Sequence, residues 1–176
     1  MASVGHVIVG AAAARFDLSK RRTRWAAFSV GVVWAGLSLL PDADVVGFRL
    51  GVPYEAPFGH RGATHSLAFA LVVAASAWAF AKAVRAAELP ARRTALIALA
   101  VVASHPLLDT LTDGGLGCAL LWPLSAERFF APWTPLPVAP IGREFLSMEG
   151  ARVALTELMA FSPLAIYALW PRGEPR

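Results

Sequence analysis

The sequence predicts an all-α fold: a polytopic membrane helical bundle of about four to five transmembrane helices. It forms one integral-membrane domain over residues 1–176, with an interfacial loop rich in proline and aromatic residues. Three observations predict it. Apolar residues make up 57% of the chain and charged residues 16%, against about 45–50% and about 25% in soluble domains, and the mean hydropathy is +0.56. The apolar residues are gathered into five stretches. No stretch alternates as a half-buried strand does, and backbone in lipid must bond to itself, so the stretches read as helices. The same numbers exclude disorder, a coiled coil and a nucleic-acid-binding tail, and argue against an ordinary soluble enzyme.

The elements follow in chain order. Residues 2–14 form the first stretch, short against the about 20 residues that a span needs. No cation precedes it and His6 interrupts it, so a helix is expected rather than a cleaved signal. Residues 25–40 form the second, 63–81 the third, 94–112 the fourth and 151–170 the fifth. The last three, at about 19–20 residues, reach about 28–30 Å as helices. Small residues are frequent in them, which suits close packing in lipid. Between the fourth and fifth lies the loop 116–140, whose run LWPLSAERFFAPWTPLPVAP is too rich in proline for a continuous helix. Its Trp122, Phe129, Phe130 and Trp133 suit the membrane–water interface, as a loop or a short re-entrant segment.

The net charge of +4 and a pI near 10 invite a nucleic-acid reading. The distribution opposes it: Lys20, Arg21, Arg22 and Arg24 form one run, and Lys82, Arg85, Arg92 and Arg93 another, both between apolar stretches. With five alternating spans these runs, Arg15 and the tail cations Arg172 and Arg176 share one side. Arg49, Arg61, Arg128, Arg143 and Arg152 take the other. The cation-rich side is expected to be cytoplasmic, the N-terminus outside and the C-terminus inside. Cys118 is the only cysteine, which excludes an internal disulfide and a multi-cysteine metal site and is expected to be a small buried side chain.

The same topology collects the ionisable groups. His6 lies near the outer end of the first helix, and Asp42 and Asp44, in LLPDAD, lie past the outer end of the second. His60 and His65, in GHRGATHS, open the third, and His105 and Asp109, in SHPLLD, lie in the outer half of the fourth. Ionisable groups inside apolar spans are costly and usually functional. His105 and Asp109 stand at i and i+4 and share a helix face, with Pro106 between them expected to kink the helix. Imidazole and carboxylate together suit Zn²⁺, Mn²⁺ or Fe²⁺. His6, Asp42, Asp44, His60, His65, His105 and Asp109 are therefore the candidate metal ligands. They exceed the three that one catalytic zinc uses, and a second ion bridged by Asp44 or Asp109 would use the surplus. Arg61 can clamp an oxyanion beside the metal or pair with Asp42, Asp44 or Glu55. Thr64 and Ser66 can orient ligands or cap a helix. Asp113, in TLTDGG, is a candidate general base or a turn residue beside Gly114 and Gly115.

At these residues the chain resembles a known family. Gly5-His6, LLPDAD, GHRGATHS, SHPLLDTLTDGG and the following LLWPL match, in order and spacing over about residues 5–125, the YdjM-like family of inner-membrane metal-dependent hydrolases. The resemblance implies a polytopic bacterial inner-membrane protein whose polar site is His6, Asp42, Asp44, His60, His65, His105 and Asp109. Many members carry proline where Asp113 stands here. The His-x-x-x-Asp pair is also similar to the zinc-dependent phospholipase C and nuclease group, which favours phosphoester over peptide substrates.

The expected function is a metal-dependent hydrolase that attacks a phosphoester or related ester of a membrane lipid or lipid-linked substrate at the outer membrane face. A divalent metal, Zn or Mn, as one ion or two, activates water. Arg61, Asp44 and Asp113 are the candidate catalytic residues, for charge stabilisation and proton movement. The absence of HExxH argues against a zincin-type protease. Two other readings stay open. A metal or proton carrier needs polar groups along a path to both faces, whereas the cytoplasmic halves look apolar. A non-catalytic protein would use the metal only to staple helices.

Overall fold

The computed structural model describes residues 3–17, 24–84 and 90–170, and the cations Lys20, Arg21, Arg22, Arg85, Arg172 and Arg176 lie outside the described residues. Among the described residues every regular element is helical: α1 (Ser3–Asp17), α2 (Arg24–Leu39), α3 (Val46–Arg49), α4 (Leu67–Val84), α5 (Ala91–Asp109), α6 (Met148–Ala160) and α7 (Ser162–Leu169). Three helical stretches are long and apolar enough to cross a membrane: Trp25–Arg49, α4 and α5. A fourth exists if the α6–α7 pair counts as one span. At 15 residues α1 is about 22 Å long, short of the about 30 Å hydrocarbon core.

The burial pattern is that of a bundle in lipid. Trp25, Phe28, Leu71, Val72 and Phe80 are exposed, while the largest fully buried side chains are His6, His65, His105 and Glu157. Hydrocarbon accepts the apolar exterior, and the polar groups face inward. α1 packs on α2 and α4 on α5, around Ala14, Trp34, Ile97, Ala98 and Val101. Gly10 sets the α1–α2 approach: a Cβ there would stand 2.6 Å from Ala35 Cα. Small residues let membrane helices close in this way.

Boundaries moved for local reasons. The third apolar stretch does not begin as helix at residue 63. Ala63–His65 is a separate 3₁₀ turn, and Ser66, extended at φ −100° and ψ 155°, accepts the Phe69 N–H and caps α4. The fifth stretch is broken at Phe161, where α6 and α7 meet at a 71° bend. Pro163 falls in the first turn of α7, where its missing N–H costs nothing, so a new helix starts there. α5 runs through Pro106 to Asp109.

The chain between Thr110 and Ile141 carries no regular element, only two isolated bridges, Thr112 with Leu136 and Cys118 with Phe129. It folds over the 53–66 segment: the Ala119 N–H donates to the Arg61 carbonyl, and the Leu67 N–H to the Leu120 carbonyl. Arg128 donates to the carbonyls of His60 and Tyr54. Cys118 is buried as expected, and burial pushes its thiol up to about 12.

Candidate metal centre

Four segments meet at one end of the bundle. The first turn of α1 supplies His6, and the last turn of α5 supplies His105 and Asp109. Beyond α2, Pro41 opens the 3₁₀ turn Leu40–Val45, which carries Asp42 and Asp44. His60, Arg61 and His65 come from the irregular segment before α4, where Arg61 takes a positive φ of 61°. At the opposite end stand Arg15, Lys82, Arg92 and Arg93, in the last or first turns of α1, α4 and α5.

Asp42, His65, His105 and Asp109 form a group whose ligand atoms lie within 4.8 Å of one another. His65 Nε2 is 3.4 Å from Asp42 Oδ1 and 3.4 Å from Asp109 Oδ2. His105 Nε2 is 3.3 Å and 3.7 Å from the same two oxygens. A tetrahedral ion with bonds of ~2.0–2.1 Å holds its ligand atoms ~3.3–3.4 Å apart. The spacing therefore fits one ion at the centre and is long for hydrogen bonds. Both Nε2 atoms are buried and have no hydrogen-bond partner. Buried polar atoms left unpaired are rare, and a cation at the centre of the four residues would satisfy both.

The remaining groups orient these four. His105 Nδ1 lies 2.6 Å from the Ser38 carbonyl, which can only accept, so the ring N–H sits on Nδ1 and the Nε2 lone pair faces the site. The His65 Nδ1–H donates to Thr64 Oγ1 at 3.1 Å, and that hydroxyl itself donates to Asp44, with the same consequence. Asp44 accepts from His60 Nδ1 at 2.7 Å, the Thr64 hydroxyl at 2.7 Å and the Arg61 N–H at 3.2 Å. His6 Nε2 stands 3.3 Å from Asp109 Oδ1, and its ring stacks on His105 at 3.6 Å. Arg61 is buried, with Nε 3.5 Å from Asp109 Oδ2 and Nη1 donating to the Gly114 carbonyl.

A second group, Asp44, His60 and His65, also brings one ligand atom from each residue within 4.8 Å of the others. It shares the His65 ring with the first group, not the carboxylate expected as a bridge. Its Asp44–His60 distance of 2.7 Å is that of a hydrogen bond. Burial alone would lower the His65 pKa; the carboxylates of Asp109, Asp42 and Asp44 outweigh it and hold the imidazolium up to about 10. Three carboxylates against one guanidinium and this imidazolium still leave a net negative pocket that attracts a cation.

A cavity of about 750 Å³ opens over the cluster. Its polar floor is Asp42, His60, Arg61 and Asp109, and its apolar walls are Val45, Val46, Phe48, Val138, Ile141 and Phe145, with Arg49 and Tyr54 among the remaining lining residues.

All seven expected ligands and Arg61 are brought together. Asp113 is not: it is exposed, and its Oδ1 accepts the Val138 N–H at 2.8 Å, a loop tie. Thr64 proves to be a partner of Asp44, and Ser66 a helix cap. Sequence reasoning missed Ser38, whose contribution is a backbone carbonyl, and Arg128, which clamps the 54–60 segment from a distant loop. It also missed Glu157, buried in α6 and accepting the Gly5 N–H one residue from His6. A lone acid inside the apolar run 151–170 was the available signal.

The chain matches the family described as YdjM inner membrane protein over residues 1–172. It is similar to Inner membrane protein YbcI of Escherichia coli (strain K12), 45% identical over 124 residues that cover 70% of each chain. No solved structure matches it significantly.

Proposed function

The chain belongs to the YdjM inner membrane protein family, and from that premise we propose a metal-dependent hydrolase. Its substrate is a phosphoester or related ester of a lipid or lipid-linked molecule. The observation that carries the reading is the pair of orphaned Nε2 atoms of the buried His65 and His105, at ligand spacing from oxygens of Asp42 and Asp109, the two carboxylates that line an open cavity. A site meant only to staple helices is closed on all sides. This one has a cavity over Asp42 and Asp109.

The donor set, two imidazoles and two carboxylates, suits zinc or manganese. One ion held by Asp42, His65, His105 and Asp109 is favoured over two, because Asp44 and His60 are engaged with each other. When bound, the ion supplies Lewis acidity and a water acidified to near neutrality. The chain's own residues do the rest. Asp44, with three donors on it, holds His60 by Nδ1, so the far edge of that ring can hold or pass a proton at the cavity floor. The Arg61 guanidinium stabilises negative charge developing on the ester. Asp113 does not enter this chemistry. The apolar walls above a charged floor fit an amphiphile, with its ester down and its chain against Val45, Val46 and Phe145. In the sequence, the loops assigned to the opposite side carry eleven cations against five on the site's side, which supports placing the site on the extracytoplasmic face.

The second reading, a structural metal, draws on the fact that the cluster ties four segments together. One experiment separates them. Detergent-purified wild type, Arg61→Lys and His105→Ala are analysed for metal by inductively coupled plasma mass spectrometry and assayed for phosphate release from phosphoester lipids. The expected result is near-stoichiometric zinc or manganese in wild type and Arg61→Lys, lost in a folded His105→Ala, with turnover in wild type alone. Metal with no turnover on any ester substrate supports the staple, and no metal after reconstitution overturns both.

A further inference from the structure

A second cavity, of about 910 Å³, lies at the cationic end of the bundle between α1, α5 and α7. Its walls are apolar, with Phe16, Leu96, Ala100, Leu164 and Tyr167 among them, and Arg92 and Arg93 stand at one end. Along α5 it extends from Arg92 to Val101, about 14 Å at helical rise, close to half of the about 30 Å hydrocarbon core. That is the depth of one leaflet. A groove open to hydrocarbon is filled by hydrocarbon, and the cation at its end selects the head group.

The two arginines differ. Arg93 is committed: Nη2 donates to the Phe16 carbonyl at 2.6 Å, and Nε stands 4.0 Å from Asp17. Arg92 is exposed and has no partner among the described residues. A second copy of the chain docked here by a two-fold axis along the membrane normal would bring its own Arg92 to the same level, like charge toward like. An anionic lipid meets the charge instead. We infer that this groove is a binding site for an anionic phospholipid, with one acyl chain between α1, α5 and α7 and the head-group phosphate at Arg92. Basic recesses between membrane helices bind acidic head groups by the same physics.

The site is independent of the metal centre, since Arg92 and His105 are about 20 Å apart along α5. The test is native mass spectrometry of the detergent-purified protein titrated with phosphatidylglycerol and with phosphatidylcholine of the same acyl chains. Wild type is expected to retain phosphatidylglycerol in preference. Arg92→Ala is expected to lower that retention about fivefold, the size of one arginine facing an anionic head group, and to leave phosphatidylcholine unchanged. Ala100→Phe, which fills the groove from α5, is expected to lower retention of both lipids; metal content stays at the wild-type level in both variants. Equal retention of the two lipids by wild type, an unchanged phosphatidylglycerol preference in Arg92→Ala, or a lipid-free dimer overturns the inference. Because Arg92 is a surface residue, its substitution decides the question even where Ala100→Phe fails to fold.

Discussion

Replacing Asp44 by asparagine separates a residue that orients ligands from one that binds the ion. Asp44 Oδ2 receives two donors, the Arg61 N–H and the Thr64 hydroxyl, and stands 3.1 Å from His65 Nδ1, while Oδ1 receives His60 Nδ1. An asparagine that keeps its carbonyl on the Oδ2 side preserves those two bonds, and its amide then faces His60, whose other tautomer accepts. What is lost is the negative charge behind the His65 ring, which raises the basicity of Nε2. Loss of such an outer partner typically weakens metal binding by about 10–100-fold, or about 1.4–2.8 kcal/mol. Asp44→Asn should therefore still bind one equivalent at saturating metal, with the dissociation constant raised by that factor in a competitive chelator titration. His105→Ala, which removes one of four ligand atoms, should bind none under the same conditions. Two equivalents in wild type that fall to one in Asp44→Asn would refute the assignment and make Asp44, His60 and His65 a second metal site. No change at all would refute the role given to Asp44.

Three further outcomes follow from the same geometry. His65 is held protonated to about pH 10 in the metal-free protein, above the ordinary 6.5. Its contribution to stability is therefore present in full below pH 6.5 and is lost as pH rises through about 10, and a denaturant titration of the metal-free protein should show that decline. Metal must displace this proton, so apparent affinity should rise about tenfold per pH unit within the same window, and a pH-independent affinity would contradict it. Gly10→Val places side-chain carbon 2.6–2.7 Å from the backbone of Ala35 and Trp34. It should force α1 away from α2, withdraw His6 one turn above, cost about 1–3 kcal/mol in unfolding, and weaken metal binding. Glu157→Leu leaves the buried Gly5 N–H without its acceptor, at a cost of about 1–3 kcal/mol. Glu157→Gln, which keeps a carbonyl there, should restore most of it in the same unfolding assay.

The sequence carried the site better than the boundaries. Four apolar stretches delivering histidine and aspartate to one end is a statement about topology, and it survives errors of several residues in each helix. The i, i+4 pair His105–Asp109 needs only a helix, and α5 supplies it. What could not be read is what depends on the tertiary path of non-helical chain. Ser66 reads as either the start of a helix or its cap, and only its extended backbone decides. Asp42 and Asp44 are two residues apart in one 3₁₀ turn, yet one faces His105 and the other faces His60. Periodicity assigns no such division. Asp113 stands four residues past Asp109, a spacing that would place it on the site's face if α5 continued. The helix ends at Asp109 and Asp113 turns to the loop instead.

The irregular segments also have a physical reason to be where they are. Backbone without helical bonds is tolerated at membrane depth only where protein covers it or it lines a cavity. The 53–66 segment meets both conditions: Ala119 and Arg128 of the later loop satisfy its groups from one side, and the cavity bounds it on the other. The proline-rich loop, read from sequence as an interfacial element, therefore has a second duty, the support of Arg61 and His65. Arg61 illustrates the coupling. Its carbonyl accepts from the loop, its N–H donates to Asp44 and its guanidinium reaches Asp109 and Gly114, all from a residue at positive φ. A non-glycine residue holds that conformation when the surroundings fix it on several sides. Here each of those sides is part of the candidate metal centre or of the loop that closes over it.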